Sequence, residues 1–593
     1  MIINAKRSPL AAALLIWLTL LANGALAQSD QIVYDDALEN GWQIYPWGGV
    51  TNNVANTSPV HSGTYSISVN ATNYGALYLA HAAFNTAAYS NLTFWINGGA
   101  NGGQHLQIQA TVNGNEQTAV LLNALPSNSW QQITTSWSAL GVANTAIDGI
   151  WIKEQTSAQV LFYVDDIKLI ALPPPATIHL NVNAGSVVRT VDVRHFGVNT
   201  ATWDGNLNTS ATISLLGKMG TKALRFPGGS TADEYHWQPN TGGGTSFDGF
   251  ANVATNLGAQ AFITVNYGTG TAQEATAWVA YSNVTNHYAF KYWEIGNENY
   301  GSWEADTNAL PNDPYTYAVH ARDYINGMKG VDPTIKIGVP VVTGEDSYAN
   351  YTNHAATNAV THQVHYGWTP VLLSTMKSLG VTPDFLIYHR YDQEPGSEND
   401  ASLLQSSATW TNDAADLRAQ LTDYLGTSST NIELLCTENN SVSYNLGKQS
   451  ASLVNGLFLA DSFGQILQTE FNSRLWWDLR NGQESTNNND PSLYGWRQYG
   501  DYGIIYNSTN CYPTYFVTKL LQQFVHAGDQ IIHATSDYSL LSVYAARRTN
   551  GSVTLLVINK SSVNALNGNI NLTGFVSATN ATNYSYGMTQ DNA

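Results

Sequence analysis

The stretch YWEIGNENYG at residues 292–301 is a short apolar run, of the kind that forms a buried strand, and Glu298 stands where it ends. A second run of this type, IELLCTENN at residues 432–440, leads to Glu438. Both belong to a series of eight strand-like runs, most of them separated by helical patterns: HFGVN (195–199), ALRFPGG (223–229), AFITVNYG (261–268), YWEIGNE (292–298), KIGVPVV (336–342), FLIYHRY (385–391), IELLCTEN (432–439) and RLWWDLR (474–480). Such alternation is typical of a parallel sheet, and the count of eight favours a closed (β/α)8 TIM barrel over a doubly wound open sheet. We therefore predict a central barrel over residues 196–526.

The segments on either side of the barrel have a different pattern. Residues 28–172 show short alternating runs separated by Gly, Asn and Ser, which predicts an N-terminal β-sandwich. The three prolines at 173–175 predict a stiff linker. Residues 176–195 and 527–593 again have the character of short strands, and we expect them to form one accessory C-terminal β-sandwich. The sequence ends where such a sandwich would require another strand, so either the sequence is a fragment or this sandwich is incomplete.

Residues 1–27 have the pattern of a signal peptide. A basic pair at 6–7 is followed by an apolar stretch and by the small-residue sequence ALA at 25–27. The alternative is a membrane anchor, but the uninterrupted apolar part, residues 10–22, is short for a bilayer span. We expect a secreted protein, extracellular or periplasmic.

The charge balance narrows the class of partner. The chain has 43 acidic and 24 basic residues and a net charge of −19, which argues against nucleic acid or an anionic membrane as a partner. Only 11% of the residues are charged, as suits a secreted protein that handles neutral polymers. The two cysteines, Cys436 and Cys511, could pair in an oxidising compartment or remain as buried free thiols, and the sequence leaves both readings open.

The two glutamates indicate a chemistry. The active site of a TIM barrel is built at the C-terminal ends of its strands, and Glu298 and Glu438 end the fourth and seventh runs. Two facing carboxyls are what a retaining glycosidase requires, one to protonate the leaving oxygen and one to attack the sugar. We expect Glu298 to be the acid, with a pKa raised by burial and by its anionic neighbour, and Glu438 to be the ionised nucleophile.

These motifs also carry a family resemblance. The order, with Asn297-Glu298 after strand four and Glu438 after strand seven, resembles the (β/α)8-barrel clan A of glycoside hydrolases. The segments LRFPGGSTADEYHW, VNYGTGTAQEATAWVAYSN and WEIGNE resemble the α-L-arabinofuranosidases of glycoside hydrolase family 51. The chain departs from that family after RFPGG and in the CTENN context of Glu438. The resemblance implies hydrolysis of plant cell-wall polysaccharide or oligosaccharide, with α-L-arabinofuranosides as the first expectation.

Two rival functions stay open. An endo-β-1,4-glucanase or a related β-glycanase would use the same barrel and the same carboxyls. A non-catalytic polysaccharide-binding protein on a degenerate barrel is the rival from another class. The retention of both glutamates argues against that second rival.

Further site residues follow from the resemblance and from strand geometry. The resemblance supplies Arg225 and Tyr391 as the donors that hold the nucleophile. Asn297 can contact the sugar hydroxyl beside the reacting carbon, and strand alternation turns His389 toward the same pocket. The remaining candidates for substrate binding end the eighth run: Trp476 and Trp477. Neighbours on a strand face opposite ways, so we expect one of the two to enter the core and the other the site. No Cys/His cluster has zinc spacing and no glycine-rich run fits a phosphate loop, so we expect no cofactor for catalysis.

The N-terminal segment resembles jelly-roll carbohydrate-binding modules, with VYDDALENGW near its start and YVDDIKL at its end. Exposed aromatic rings in such modules stack on sugars, and we expect Trp42 or Trp47 to form that platform. Asp36 and Asp166 are candidate ligands for a structural calcium, because hard cations take carboxylate oxygens. Solvated loop acids are the alternative interpretation of these two residues.

Overall fold

A computed structural model describes residues 2–7, 30–72, 74–156, 158–172, 176–562 and 564–591 of the 593, and for residues 2–7 the description covers the backbone alone. The predicted linker at 173–175 lies outside these residues. So does the predicted signal peptide, except for a strand β1, Ile2–Arg7, which belongs to the C-terminal sheet. Within the described part of the chain, every helix is too short or too polar to traverse a lipid bilayer.

The N-terminal module consists of two six-stranded sheets with antiparallel pairing. Its strands in chain order are β2 Gln31–Tyr34, β3 Gln43–Ile44, β4 Thr51–Asn56, β5 Ser66–Ala71, β6 Ala76–Asn85, β7 Tyr89–Asn97, β8 Leu106–Val112, β9 Asn115–Glu116, β10 Val120–Leu121, β11 Trp130–Ser136, β12 Ala146–Glu154 and β13 Val160–Ala171. One sheet has the order β10-β8-β12-β6-β3 with β9 beside β8, and the other has the order β11-β7-β13-β5-β4 with β2 beside β13. Alternate residues of both sheets, such as Phe94 and Ile150, meet in one buried core.

A long strand β14, Ile178–Thr190, leads into a closed barrel of eight parallel strands, which confirms the predicted TIM barrel and excludes the open sheet. The barrel strands are β15 Gly197–Asn199, β16 Ala223–Phe226, β17 Gln260–Val265, β18 Tyr292–Ile295, β19 Lys336–Pro340, β22 Phe385–Tyr391, β23 Glu433–Asn440 and β24 Arg474–Trp476, with a small hairpin of β20 Ala356–Thr357 and β21 Val364–His365 outside it.

Helices cover the outside of the barrel. They are α1 Ser210–Met219, α2 Phe247–Leu257, α3 Ala272–Val279, α4 Pro314–Val331, α5 Trp368–Ser378, α6 Asp400–Ser406, α7 Trp410–Leu425, α8 Leu453–Ile466 and α9 Pro513–Phe524. Short 3-10 turns and one π-helical segment occur between elements: Thr86–Ala88, Val193–His195, Gly229–Asp233, Ala280–Thr285 (π), Ser407–Thr409, Gly426–Asn431 and Lys448–Ala451. Local chemistry sets the helix ends. For example, α4 has proline at its first position and the Asp313 carboxylate accepts from the Thr316 N–H.

The barrel interior is divided into an apolar part and a polar part. A buried apolar cluster includes residues from six of the barrel strands, two of them from β22: Ala223, Phe262, Tyr292, Phe385, Ile387, Leu435 and Leu475. Two residues further along their strands, Arg225 and Glu294 point the same way as Ala223 and Tyr292, because strand side chains alternate. The polar groups therefore collect toward the C-terminal mouth of the barrel.

The chain ends in a single seven-stranded sheet in the order β28-β14-β25-β26-β27-β1-β29. Its remaining elements are β25 Gln530–Ser536, β26 Leu541–Arg547, β27 Val553–Asn559, β28 Gly568–Thr573 and β29 Ser577–Tyr584, followed by a short helix α10 Met588–Asp591. Strand β14 pairs antiparallel with β25 and parallel with β28, so the segment before the barrel and the segment after it share this sheet.

Candidate active site

Glu298 and Glu438 lie together at the C-terminal mouth of the barrel. Glu298 follows β18 and has a φ of 42°, a left-handed backbone conformation that is rare for a residue other than glycine. Glu438 lies within β23, and an irregularity in the β22–β23 pairing sets it opposite His389. The two carboxyl groups and the His389 imidazole each place a polar atom within 4.8 Å of the others.

The Arg225 guanidinium holds Glu438 in a buried network. Its Nη1 donates to Glu438 Oε1 at 2.6 Å and its Nε donates to Glu294 Oε2 at 2.7 Å. Its Nη2 donates to Asn297 Oδ1 at 2.8 Å, and the Tyr391 hydroxyl donates to Glu438 Oε2 at 2.5 Å. The Arg225 guanidinium and the Tyr391 hydroxyl thus each donate to one oxygen of the Glu438 carboxyl.

Glu298 has different partners. Its Oε1 lies 2.8 Å from His389 Nδ1, and its Oε2 accepts a hydrogen bond from the Trp303 indole N–H at 2.9 Å. Burial raises the pKa of Glu298, but hydrogen bonds from His389, Trp303 and Tyr300 outweigh it and hold this pKa below its ordinary value. The expectation of a raised pKa is therefore wrong for this arrangement, because the sequence did not reveal how many donors converge on this carboxyl.

Two further buried acids, Glu304 and Asp233, accept hydrogen bonds from Asn297, the residue before Glu298. Glu304 accepts hydrogen bonds from the Ser230 hydroxyl at 2.8 Å and from Asn297 Nδ2 at 2.9 Å, and burial raises its pKa to about 9. Burial also raises the pKa of Asp233 to about 7, although it accepts the N–H groups of Asn297 and of two neighbouring loop residues. Asp233 therefore holds the backbone of Asn297, and Glu304 holds its side chain.

Glu298, His389 and Glu438 form the one set of three potential metal ligands that lie this close together among the described residues. Their surroundings do not suit a cation. The Arg225 guanidinium already neutralises Glu438, and it would repel a divalent ion at this distance. The arrangement is better suited to moving a proton and attacking a carbon than to holding a metal.

The two tryptophans predicted to contact substrate, Trp476 and Trp477, lie on opposite sides of the barrel wall. Trp477 lies at the mouth, packed against Trp203 and Tyr391, and its ring approaches Gly229 so closely that a Cβ there would lie 2.5 Å from it. The prediction that Trp476 contacts substrate is wrong. It is 1% exposed and its ring packs on Phe458 of α8, because neighbouring residues of a strand face opposite sides.

Sequence reasoning missed several residues of this site. Trp303 is 54% exposed although its indole binds Glu298, and nothing in the pattern of the loop distinguishes it. Glu294 lies deep in the barrel, four residues before Glu298, and it accepts a hydrogen bond from the Arg225 Nε that the position of Glu294 along its strand does not reveal. Asn199 is the last residue of the first barrel strand, and its Oδ1 accepts a hydrogen bond from Arg225. Its position at the C-terminal end of a strand is the one feature of the sequence that could have indicated a place in the site.

The predicted platform of the N-terminal module needs correction. Trp42 is 3% exposed and its ring packs on His81 and Phe84, so it belongs to the core. Trp47 is half-buried, on the outer face of the β6-containing sheet, with its ring 5.0 Å from that of Trp151.

The predicted calcium ligands do not form a ligand set. The Asp36 carboxylate accepts the backbone N–H groups of Thr64 and Tyr65. Asp166 instead contacts His61 and the Ser62 hydroxyl. Within the described residues no third acidic or imidazole group joins either of them closely enough to complete a site. The turn around residues 61–65 uses these carboxylates as hydrogen-bond acceptors. Cys436 and Cys511 are both free thiols.

No family model matches the chain. It is 28% identical over 172 residues to a probable alpha-L-arabinofuranosidase C of Aspergillus clavatus, a match that covers 23% of this chain and 33% of that protein. It is also 28% identical over 173 residues to the alpha-L-arabinofuranosidase C of Emericella nidulans, with coverage of 24% and 34%. An endoglucanase of Dictyostelium discoideum is 32% identical over 144 residues, 23% of this chain and 20% of that protein. The chain thus spans about a third or less of the curated relatives it matches.

Solved structures agree on the fold. The α-L-arabinofuranosidase of Thermotoga maritima in complex with arabinose has a TM-score of 0.52 and 18% identity, covering 67% of this chain and 88% of that one. The family 51 α-L-arabinofuranosidase of Thermotoga petrophila gives the same values. The resemblance to family 51 that the motifs indicate is confirmed by these matches.

Proposed function

We propose that this protein is a retaining glycoside hydrolase that acts on plant cell-wall polysaccharide, with α-L-arabinofuranosides as its first substrate class. One observation carries the proposal. The carboxyl oxygens of Glu298 and Glu438 approach within 4.8 Å, and Glu438 is fixed by Arg225 and Tyr391. Retaining enzymes have carboxyl groups about 5–5.5 Å apart, whereas inverting enzymes leave roughly 6.5–9.5 Å for a water molecule.

The reaction proceeds in two displacements. Glu438 attacks the anomeric carbon, the bond from that carbon to the leaving oxygen breaks, and Glu298 gives its proton to that oxygen. A glycosyl ester of Glu438 and a free alcohol result. Water then attacks the same carbon, the ester bond breaks, and the Glu298 carboxylate takes the proton of the water.

His389 controls where the proton of Glu298 lies. Its Nε2 is 3.1 Å from the Thr437 hydroxyl, and its Nδ1 is 2.8 Å from Glu298 Oε1 and 3.6 Å from Glu438 Oε2. When the ring carries its proton on Nε2, Nδ1 accepts from the carboxylic acid of Glu298, which is the form that the first displacement uses. When Nδ1 carries the proton, the imidazole stabilises the carboxylate that the second displacement uses.

The names of the relatives support arabinofuranoside hydrolysis, and one of them supports a second candidate. The match to an endoglucanase favours an endo-acting β-glycanase as the alternative. Trp303 and Tyr348 are exposed beside Glu298, where a polymer leaving group would lie. This aromatic surface is compatible with both candidates, because it contacts the sugar beyond the cleaved bond.

A substrate panel separates the candidates. The proposal predicts release of 4-nitrophenol from its α-L-arabinofuranoside, whereas the alternative predicts new reducing ends from carboxymethylcellulose. Glu438→Ala should abolish either activity and leave the protein folded. Persistent hydrolysis by that variant would refute Glu438 as the nucleophile. If neither substrate is cleaved and polymer still binds, the non-catalytic reading is correct.

We also propose that the N-terminal module binds the polysaccharide through the outer face of the sheet β10-β8-β12-β6-β3. Trp151 lies between Tyr78 and Gln109 in this sheet, and Trp47 stands beside it. Lys153 Nζ lies 5.2 Å and 5.5 Å from the centroids of the two indoles. Flat aromatic faces suit an uncharged sugar chain, because the rings can pack on its C–H groups.

Binding to insoluble polysaccharide tests this face. In an inactive Glu438→Ala background, Trp47→Ala together with Trp151→Ala should weaken retention on the polysaccharide roughly tenfold. A tenfold loss corresponds to the free energy of about two aromatic contacts. Trp130→Ala is the matched control, because Trp130 lies on the other sheet, edge-on to the His61 ring that stacks on Trp95. Equal retention of all variants would contradict a binding role for the face.

We propose that the protein is exported and that residues 1–27 are removed. Removal would take strand β1 with it, and β27 and β29 would lose their shared partner. N-terminal sequencing of the mature protein tests export. A start near residue 28 supports it, and an intact N-terminus contradicts it.

A further inference from the structure

Arg474 is a buried cation on the outer side of the barrel wall. It is the first residue of β24 and 3% exposed. The next residue, Leu475, points into the barrel core, so Arg474 points outward toward the covering helices. Its guanidinium lies 4.9 Å from the ring of Trp476 and 5.9 Å from the ring of Phe463.

Two nitrogens of this guanidinium have no acceptor among the described residues. Its Nε and Nη2 are fully buried and make no hydrogen bond, and within the same residues no carboxylate forms an ion pair with it. The other buried arginines differ in this respect: Arg194 binds Asp192 and Glu433, Arg225 binds Glu294 and Glu438, and Arg390 binds Asp392 and Asp413.

The groups around Arg474 cannot neutralise it. Burial lowers the pKa of Arg474 to about 10, so it remains charged at neutral pH. Burial raises the pKa of the neighbouring Cys436 thiol well above its ordinary value, so the thiol stays neutral. Both ring nitrogens of His195 already lie against backbone carbonyls, of Asp192 and Phe471, and offer no acceptor.

A small cavity adjoins the guanidinium. It measures about 20 Å³, and its lining includes Arg474, Trp476, Thr221 and Thr518. A cavity of roughly 10–15 Å³ or more on this measure admits one water molecule. One halide ion is little larger than water and fits, whereas a carboxylate, sulfate or phosphate does not. The Thr221 hydroxyl in the wall can donate to such an ion, whereas the Thr518 hydroxyl already donates to the Thr514 carbonyl oxygen at 2.7 Å.

We propose that this cavity is a halide site in which one chloride ion is the counter-ion of Arg474. Leaving a charge unpaired in the protein interior is strongly unfavourable, and the two aromatic rings offset only a part of that cost. Water can accept hydrogen bonds from the guanidinium but leaves its charge uncompensated, whereas chloride does both. The ion would tie β24, the last barrel strand, to the helix layer, at the seam where β24 pairs with β15.

Crystallography with bromide tests the site directly on the full-length protein. Crystals grown with sodium bromide in place of chloride should show an anomalous difference peak at the bromine edge, in contact with the Arg474 guanidinium. Density at that position without anomalous signal would identify water and overturn the proposal. This result does not depend on any variant folding.

Thermal unfolding supplies a second test. The melting temperature should rise on the order of 2 °C for each tenfold increase in sodium chloride, relative to sodium gluconate at equal ionic strength, whose anion is too large for the cavity. Arg474→Met should abolish this difference. Arg418→Met is the matched control and should retain it, because Arg418 pairs with Glu470 at the surface. An equal chloride response in both variants would contradict the site.

Discussion

Glu298 and Glu438 differ in their immediate neighbours, and the roles proposed for them follow from that difference. Glu438 accepts hydrogen bonds from a guanidinium and from a phenol. Glu298 contacts an imidazole and an indole, and the imidazole can either donate a proton or accept one. These different partners support the proposed division between nucleophile and acid, because an imidazole can both give and take a proton, whereas a guanidinium only donates hydrogen bonds.

We predict that His389→Phe moves the alkaline limb of the pH–rate profile to higher pH. The hydrogen bond from His389 is the strongest influence that lowers the pKa of Glu298, and without it the raising effect of burial is left less opposed. A higher pKa keeps the acid protonated to higher pH, so activity extends further into the alkaline range. The measurement is kcat/KM against pH with an aryl glycoside.

Thr437→Val is the control for this experiment. It removes the hydroxyl beside His389 Nε2 but leaves the contact between Nδ1 and Glu298 in place. Its alkaline limb should move less than that of His389→Phe. An unchanged limb in His389→Phe would show that the histidine only fills space.

At the scale of elements, Asp233 connects three loops at the barrel mouth. It ends the turn after β16, and its Oδ1 accepts the N–H groups of Tyr267 and Gly268 after β17, both at 3.1 Å. Its Oδ2 accepts the backbone N–H of Asn297 at 2.9 Å and the Asn299 amide at 3.0 Å, after β18. The position of Glu298 thus depends on an acid that contacts neither substrate nor nucleophile.

We predict that Asp233→Asn lowers kcat/KM by roughly 10–100-fold, because the new NH2 group faces N–H donors and leaves about two of them unsatisfied. The melting temperature should fall as well. Asp248→Asn is the control, since Asp248 accepts hydrogen bonds at the surface from the Tyr281 and Tyr288 hydroxyls. Wild-type activity in Asp233→Asn would show that the loops hold Glu298 without it.

The sequence predicts the elements better than it predicts their contacts. The eight runs and the two glutamates could be found because a strand end is a local property of the chain. The exposure of Trp42 could not, because it depends on His81 and Phe84, which approach only in the folded chain. Strand alternation predicts that one of Trp476 and Trp477 is buried, but it does not say which one. Asp233 and Glu304 escaped notice for the same reason, since their partners lie on other loops.

At the scale of the whole molecule, buried acids make stability depend on pH. The folded-state pKa of Asp233 is about 7 and that of Glu304 about 9, far above the values near 4 of unfolded carboxyls. Between about pH 4 and pH 9 these two acids therefore bind more protons in the folded protein than in the unfolded chain, and their contribution to stability falls as pH rises through this window. Carboxyls whose pKa is lowered in the folded protein, such as Asp332, change stability only at pH values below this window.

We predict that the melting temperature is lower at pH 9 than at pH 5, and that Glu304→Gln reduces this difference because an amide does not titrate. Thermal unfolding in buffers of equal ionic strength is the measurement. Asp332→Asn should leave the pH 5 to 9 difference unchanged. A melting temperature that rises toward pH 9 would mean that these acids are ionised in the folded state.

The central claim is that Glu438 attacks the sugar while Glu298 handles the proton. The most direct test incubates the Glu298→Ala variant with an activated aryl glycoside that the wild-type enzyme cleaves. The protein is then digested and its peptides are analysed by mass spectrometry. The variant can form the intermediate with a good leaving group but resolves it slowly, so one glycosyl group should accumulate on the peptide that contains Glu438. A glycosyl group on another residue, or a product of inverted configuration without any covalent species, would contradict the account.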